Sequence, residues 1–144
     1  MTIRPAVPDD ASELAAILSG WIDATEWMPR IHTLAGDRKF AARIVPKTMV
    51  WDEGALRGFL TLKGREIDCL YVADGARGQG VGRHLLDHAK AQTGELELWT
   101  FAANTGARRF YAREGFVEIR QTDGSENAER LPDVRLAWRR GDER

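Results

Sequence analysis

The chain has little of what would fix its environment at a glance. Its one cysteine, Cys69, has no partner for an intrachain disulfide and lies in an apolar stretch that reads as a strand, which points to the cytoplasm. Prolines number only 5, so low-complexity and collagen-like classes are excluded. No apolar run reaches the roughly 18 residues of a membrane span, and Asp9 and Asp10 follow the N-terminal Met1-Thr2-Ile3-Arg4-Pro5, so neither export nor membrane insertion is indicated. An excess of one charge is missing too. Lysines and arginines number 21 against 22 acids, and the net charge of -1 denies the chain the positive field that non-specific nucleic-acid binding needs. Nucleic acid is therefore not the expected partner, although Arg108, Arg109, Arg113, Arg139 and Arg140 leave a local basic patch open.

What is present is an ordinary globular composition, 43% hydrophobic and 30% charged in 144 residues, the size of one compact domain. Ile3 to Pro5 reads as a short strand, and Leu14, Ala15, Ile17, Leu18, Trp21 and Ile22 then recur at helical spacing. Thr25 to Thr33 breaks the pattern, which resumes at Phe40, Ile44 and Val45 and ends before Pro46. Thr48 to Asp52, Leu56 to Leu62 and Glu66 to Val72 form a three-strand meander with turns at Asp52-Glu53-Gly54 and Lys63-Gly64. A glycine-rich loop, Gly75 to Gly82, feeds a helix with Val81, Leu85, Leu86 and Ala89 on one face and Gly94 as its C′ glycine. Leu96 to Phe101 reads as an interior strand, and Asn104 caps a helix that carries Ala107, Phe110 and Tyr111 to Gly115. Phe116 to Arg120 and Val134 to Trp138 close the chain as a strand pair around the polar loop Thr122 to Asp133. The order is that of an α/β (α+β) domain without repeats.

The chemistry concentrates at Leu70-Tyr71-Val72-Ala73-Asp74-Gly75-Ala76-Arg77-Gly78-Gln79-Gly80-Val81-Gly82. A strand leads through glycines that permit positive φ into a helix whose first N–H groups are unpaired and lie at its positive dipole end, which makes an anion cradle suited to a pyrophosphate. Arg77 and Arg83 flank it and can add charge-assisted contacts. The P-loop pattern fails because no Gly-Lys-Ser/Thr follows, and the dinucleotide pattern fails because Arg83 stands where its third glycine would fall. Arg-x-x-Gly-x-Gly remains, satisfied by Arg77, Gly80 and Gly82.

That segment, followed by Asn104-Thr-Gly-Ala107-Arg-Arg-Phe110-Tyr111-Ala-Arg-Glu-Gly115-Phe116, resembles the GNAT superfamily of acetyl-CoA-dependent N-acetyltransferases over nearly the whole chain. The resemblance implies one domain over 1–144, with a mixed, mainly antiparallel sheet of about seven strands splayed between the fourth and fifth and flanked by about four helices. It implies that acetyl-CoA is the co-substrate and an amine the acceptor, with no metal; a homodimer rests on analogy of fold alone. The backbone of Leu70, Tyr71 and Val72 would pair with the pantetheine arm as an added strand, and the N–H groups of Arg77, Gly78, Gln79, Gly80, Val81, Gly82 and Arg83 would hold the pyrophosphate. Asn104 would contact the arm, and Tyr111 would lie near the sulfur.

An amine attacking a thioester must be neutral, its oxyanion needs a donor, and the departing thiolate benefits from a proton. Tyr111 is the natural acid, and the Tyr71 or Val72 N–H the oxyanion donor. Strand alternation puts Glu66, Asp68, Leu70 and Val72 on one face, so either Glu66 or Asp68 can be the base. Cys69 points the other way and reads as a small buried hydrophobe. His84 and His88, four apart, lack a third metal ligand and read as surface histidines. Trp21, Trp27 and His32 fall in the region that covers the acceptor in the resembling family, and Asp123, Glu126, Glu129 and Asp133 outnumber Arg130 in the last loop, an acidic rim that would favour a cationic amine. Asp74-Gly75 departs from the proline-led turn frequent in that family. Two rival readings stand: an acetyl-CoA sensor without catalysis, and transfer to a macromolecular amine such as a protein N-terminus, a lysine or an aminoacyl-tRNA.

Overall fold

The computed structural model describes residues 2–141. Strand β1 (Thr2–Pro5) is followed by helices α1 (Ala11–Ala24) and α2 (Leu34–Ile44), then by β2 (Thr48–Asp52), β3 (Leu56–Lys63) and β4 (Glu66–Val72). Helix α3 (Val81–Gln92), β5 (Glu95–Phe101), α4 (Thr105–Arg113), β6 (Val117–Thr122) and β7 (Asp133–Arg139) complete it. Among the described residues one sheet runs in the order β1-β2-β3-β4-β5-β7-β6, antiparallel throughout except between β4 and β5. Those two share one register pair, Glu66 with Glu97, reinforced by the Glu97 N–H donating to the Arg65 carbonyl at 2.9 Å. Beyond it they diverge. The mixed, splayed sheet and its four α-helices agree with the expected architecture.

Each face of the sheet buries its own core. Val81, Leu85, Leu86 and Ala89 of α3 pack with Leu60, Ile67, Leu96, Leu98, Leu136 and Trp138 on one side, so the helical stripe read in the sequence is the buried stripe. Leu14, Ala15, Ala41 and Ile44 of α1 and α2 cover Val50, Phe59 and Cys69 on the other. Local chemistry sets the helix starts: the Thr33 hydroxyl accepts from the Gly36 N–H at 3.0 Å, and the Asn104 Oδ1 from the Ala107 N–H at 3.1 Å. Asp37, 3% exposed, joins the helix pair by accepting from the Ser19 hydroxyl at 2.6 Å and from Arg30 at 2.9 Å, while Arg30 also reaches Asp23.

Three local expectations are corrected. Gly94 does not end α3 as a left-handed C′ residue; Thr93 leaves the helix in an extended conformation, φ −148° and ψ 154°. The last strands run to Thr122 and Arg139, longer than their apolar alternation suggested, because β6 pairs with β7 as far as Thr122 and β7 pairs with β5 as far as Arg139. Most consequentially, β4 carries a bulge. Thr61 pairs with Cys69 but Leu62 with Ile67, so Asp68 is an extra residue in the ladder. Ile67, Leu70 and Val72 consequently pack on the α3 side, Cys69 and Tyr71 on the α1 side. The single alternating face assigned to Glu66, Asp68, Leu70 and Val72 does not exist.

Gly58, opposite Val72 in the ladder, lets α3 approach the sheet: a Cβ there would stand 2.8 Å from Val81 Cγ1 and 3.0 Å from the Tyr71 carbonyl oxygen. Gly58→Ala is expected to lower unfolding free energy by about 1–3 kcal/mol through overpacking, read as a lower urea midpoint at unchanged slope.

Candidate active site

The divergence of β4 from β5 opens a cleft of about 1010 Å³, floored by the ends of both strands and walled by the N-terminus of α3 and by α4. Because β5 has left it, β4 carries unpaired backbone groups on that side at Leu70 and Val72; those of Tyr71 face β3, in phase with Ala73, whose N–H donates to the Arg57 carbonyl at 2.8 Å, although all three residues line the cleft. At the α3 end the loop supplies Arg77, Gly78, Gly80, Val81, Gly82 and Arg83 to the lining. Its turns need glycine, with φ +83° at Gly75, +77° at Gly78 and +83° at Gly80. Gln79 stands outside the lining and braces the loop instead, its Nε2 donating to the Gly75 carbonyl at 3.1 Å.

Asn104 and Tyr111 reach the opposite wall. Capping α4 uses the Asn104 carbonyl oxygen and leaves its amide N–H groups for other partners. Tyr111 is 7% exposed, packed edge-on against Phe110 at 5.1 Å and Phe116 at 5.3 Å between ring centroids. Burial pushes its phenol well above the ordinary value, so it stays protonated across the physiological range. Tyr71 shifts the same way, chiefly through burial, with the charges of Glu129 and Asp68 among the smaller contributions. Burial also pushes the Cys69 thiol up to about 12, which removes it as a thiolate nucleophile at neutral pH.

The two candidate bases part company. Asp68, on the bulge, lines the cleft and pairs with Lys63 at 3.3 Å. Glu66 is outside the lining, and both its oxygens are occupied by Arg135, at 2.7 Å and 2.5 Å. The Arg135 Nε holds Glu97 at 3.0 Å, and the guanidinium lies 5.3 Å from the Trp99 ring centroid. One arginine thus staples β4, β5 and β7 where the splay begins. Sequence reasoning missed it: Arg135 is 69 positions from Glu66, and the only signal is its place on the face of β7 opposite Val134 and Leu136.

On the α1 side an arch of aromatic rings crosses the splay. Tyr71 of β4 meets Trp21 at 5.4 Å, Trp21 meets Trp27 at 5.9 Å, and Trp27 meets Phe101 of β5 at 5.7 Å. Trp21 lines the cleft, whereas His32 is exposed and outside it. Of the acidic loop, Glu129 and Asp133 line the cleft and Glu126 does not. Asp133 is spent on the Thr122 hydroxyl and Asn127, and Asp123 on the Ser125 N–H at 2.9 Å, so Glu129 is the loop's charge toward the opening. Three arginines of the basic patch have partners within the chain: Arg108 binds Glu118, Arg139 pairs with Glu95 at 3.7 Å, and Arg140 donates to the Lys90 carbonyl at 2.7 Å.

Residues 45–118, from the turn before β2 into β6, match the family model described as an acetyltransferase (GNAT) domain. The chain belongs to the GNAT acetyltransferases. It is thus an acetyltransferase, of a family that uses acetyl-CoA. It is 26% identical over 142 residues to the peptidyl-lysine N-acetyltransferase YjaB of Escherichia coli, covering 96% of this chain and 97% of the relative. To the peptidyl-lysine N-acetyltransferase YiaC of the same organism it is 32% identical over 116 residues, 73% of this chain and 77% of the relative. The solution structure of apo YjaB superposes with a TM-score of 0.79 at 27% identity, over 95% of this chain and 96% of that one. Within this GNAT chain, among the described residues, no helix is long and apolar enough to cross a membrane.

The Arg135 staple is open to a double-mutant cycle. Arg135→Met is expected to cost about 1–2 kcal/mol in urea denaturation, and clearly less when Glu66→Gln is already present, because the carboxylate it strands is then gone.

Proposed function

We propose that the protein, acting as one domain, transfers the acetyl group of acetyl-CoA directly to a primary amine, and that the acceptor is the side-chain amine of a lysine in a protein. The observation that carries this reading is a single cleft that joins a glycine-lined helix N-terminus to a buried, protonated Tyr111 across the open edge of β4. The helix N–H groups and Arg77 and Arg83 suit a pyrophosphate, and the free groups at Leu70 and Val72 suit an extended amide chain laid along β4. The relatives YjaB and YiaC, both peptidyl-lysine N-acetyltransferases, support the lysine acceptor. So does the opening itself, where Trp21 and Tyr71 offer apolar faces to an alkyl stem and Glu129 a charge to its ammonium. The cytoplasm is the proposed compartment, in keeping with a lone buried cysteine.

The chemistry follows from these groups. The ammonium gives up a proton to Asp68, from which water carries it away, and the neutral amine attacks the thioester carbon. As the C–N bond forms, the carbonyl oxygen gains charge, which the unpaired N–H of Val72 stabilises, the Tyr71 N–H being turned toward β3. Collapse of this intermediate breaks the C–S bond. The thiolate, with a solution pKa near ~8.5, accepts a hydrogen bond from Tyr111 that strengthens as its charge grows. Burial keeps the Tyr111 phenol a weaker acid than the thiol, so it stabilises the leaving group and is itself left protonated, while the thiol's final proton comes from solvent. Glu66, held by Arg135, keeps the strands in place and takes no part in proton transfer.

Two outcomes test this. Tyr111→Phe is expected to lower kcat by about 10²-fold with acetyl-CoA affinity within threefold, measured by free-thiol release and calorimetry; undiminished turnover would remove Tyr111 from the reaction. Glu129→Lys is expected to raise KM for a lysine peptide by about tenfold or more, whereas Glu126→Lys, outside the cleft, leaves it unchanged. Equal KM values in both variants would rule out a selecting role for Glu129.

A further inference from the structure

The first peptide of α3 is held from within its own helix. The Gly80 carbonyl accepts the His84 backbone N–H at 3.0 Å, as the first bond of a helix should, and also lies 2.7 Å from His84 Nδ1. The imidazole is steadied on its other side by Trp51, 6% exposed, whose ring it meets edge-on at 5.2 Å and 69°. It also fills the space beside Gly80, where a Cβ would stand 3.4 Å from Nδ1. This second bond sits where the backbone has most freedom. Gly78 and Gly80 both have positive φ, and a glycine on that side of the map reorients its neighbouring peptide planes more readily than any other residue.

A peptide plane is rigid, and its C=O and N–H point in opposite directions. Fixing the Gly80 carbonyl toward the helix therefore fixes the Val81 N–H away from it, toward the cleft that Gly80, Val81 and Gly82 line. We propose that His84 is a positioning residue of the cofactor site: by donating from Nδ1 to the Gly80 carbonyl it locks the Gly80–Val81 peptide with its N–H aimed at the pyrophosphate. The inference rests on the acetyl-CoA reading above. It assigns Nδ1 as the protonated nitrogen of the neutral ring, and the bond persists in the imidazolium because both nitrogens then donate. It also gives a use to one of two histidines that the sequence alone reads as surface residues.

The test separates donation from bulk. Asparagine and leucine have nearly the same shape, but only asparagine places an N–H near the position of Nδ1. By calorimetric titration with CoA, His84→Leu is expected to bind about tenfold more weakly than wild type, and His84→Asn within threefold. Pantetheine, which lacks the pyrophosphate, is expected to displace CoA with the same inhibition constant from all three proteins. His84 is exposed, so the variants should melt within a few degrees of wild type, and His84→Ala provides a smaller donor-free side chain should leucine unfold the helix start. The inference is overturned if donor-free variants bind CoA as tightly as wild type, if asparagine is as weak as leucine, or if pantetheine affinity falls in step with CoA, the mark of a generally loosened cleft. Those outcomes leave the acetyl-CoA reading standing. Wild-type protein that binds no CoA at millimolar concentration overturns both.

Discussion

Everything in this molecule depends on how little β4 and β5 touch. One register pair and one further backbone bond join them, and within that short contact the Arg135 guanidinium grips Glu66 and Glu97 together. Two acids brought side by side in a parallel pair would repel; the arginine turns that repulsion into a fork-shaped clamp with fixed geometry. The clamp marks where pairing stops, and past it the strands can separate without sliding. A longer ladder would close the cleft, and none at all would let the two half-sheets rotate against each other.

The remaining parts meet this opening from independent directions. Helix α3 is driven against the sheet by Val81, Leu85, Leu86 and Ala89, and the absence of a side chain at Gly58 sets how near its N-terminus can come. Helix α4, capped by Asn104, delivers Tyr111 from the same side. From the other side α1 brings Trp21, and the Ser19–Asp37–Arg30 network ties α1 to α2 so that this aromatic cover has a firm base. The cleft therefore unites groups from six elements, α1, β4, α3, β5, α4 and β7, and from connecting loops.

Much of this was legible beforehand, and the reasons are local. Helical spacing from Leu14 to Ile22 and from Val81 to Ala89 reports burial directly, and the run from Arg77 to Gly82 carries glycines at positions whose left-handed backbone the structure confirms for Gly78 and Gly80. The illegible features are those that only pairing decides. Nothing in the residues Glu-Ile-Asp-Cys says that Asp68 is extra; the bulge arises because Leu62 and Ile67 must share one core while Thr61 and Cys69 share the other side. Strict alternation therefore put Glu66 on the wrong face, and its partner Arg135 lay too far along the chain to be linked to it. Gly94 shows the converse error, a familiar residue in a familiar place whose backbone is ordinary.

The splay also means that this sheet has edges in its interior. An exposed strand edge ordinarily invites pairing with another chain, and proteins guard against it with charge, proline or a covering element. Here the unguarded edge of β4 lies inside a slot, roofed on the α1 side by the Tyr71–Trp21–Trp27–Phe101 arch and bounded by α3 and α4. A second polypeptide strand, with side chains on both faces, would meet those walls on either side as it approached. The walls of the cleft thus double as the covering elements that an unpaired strand edge otherwise lacks.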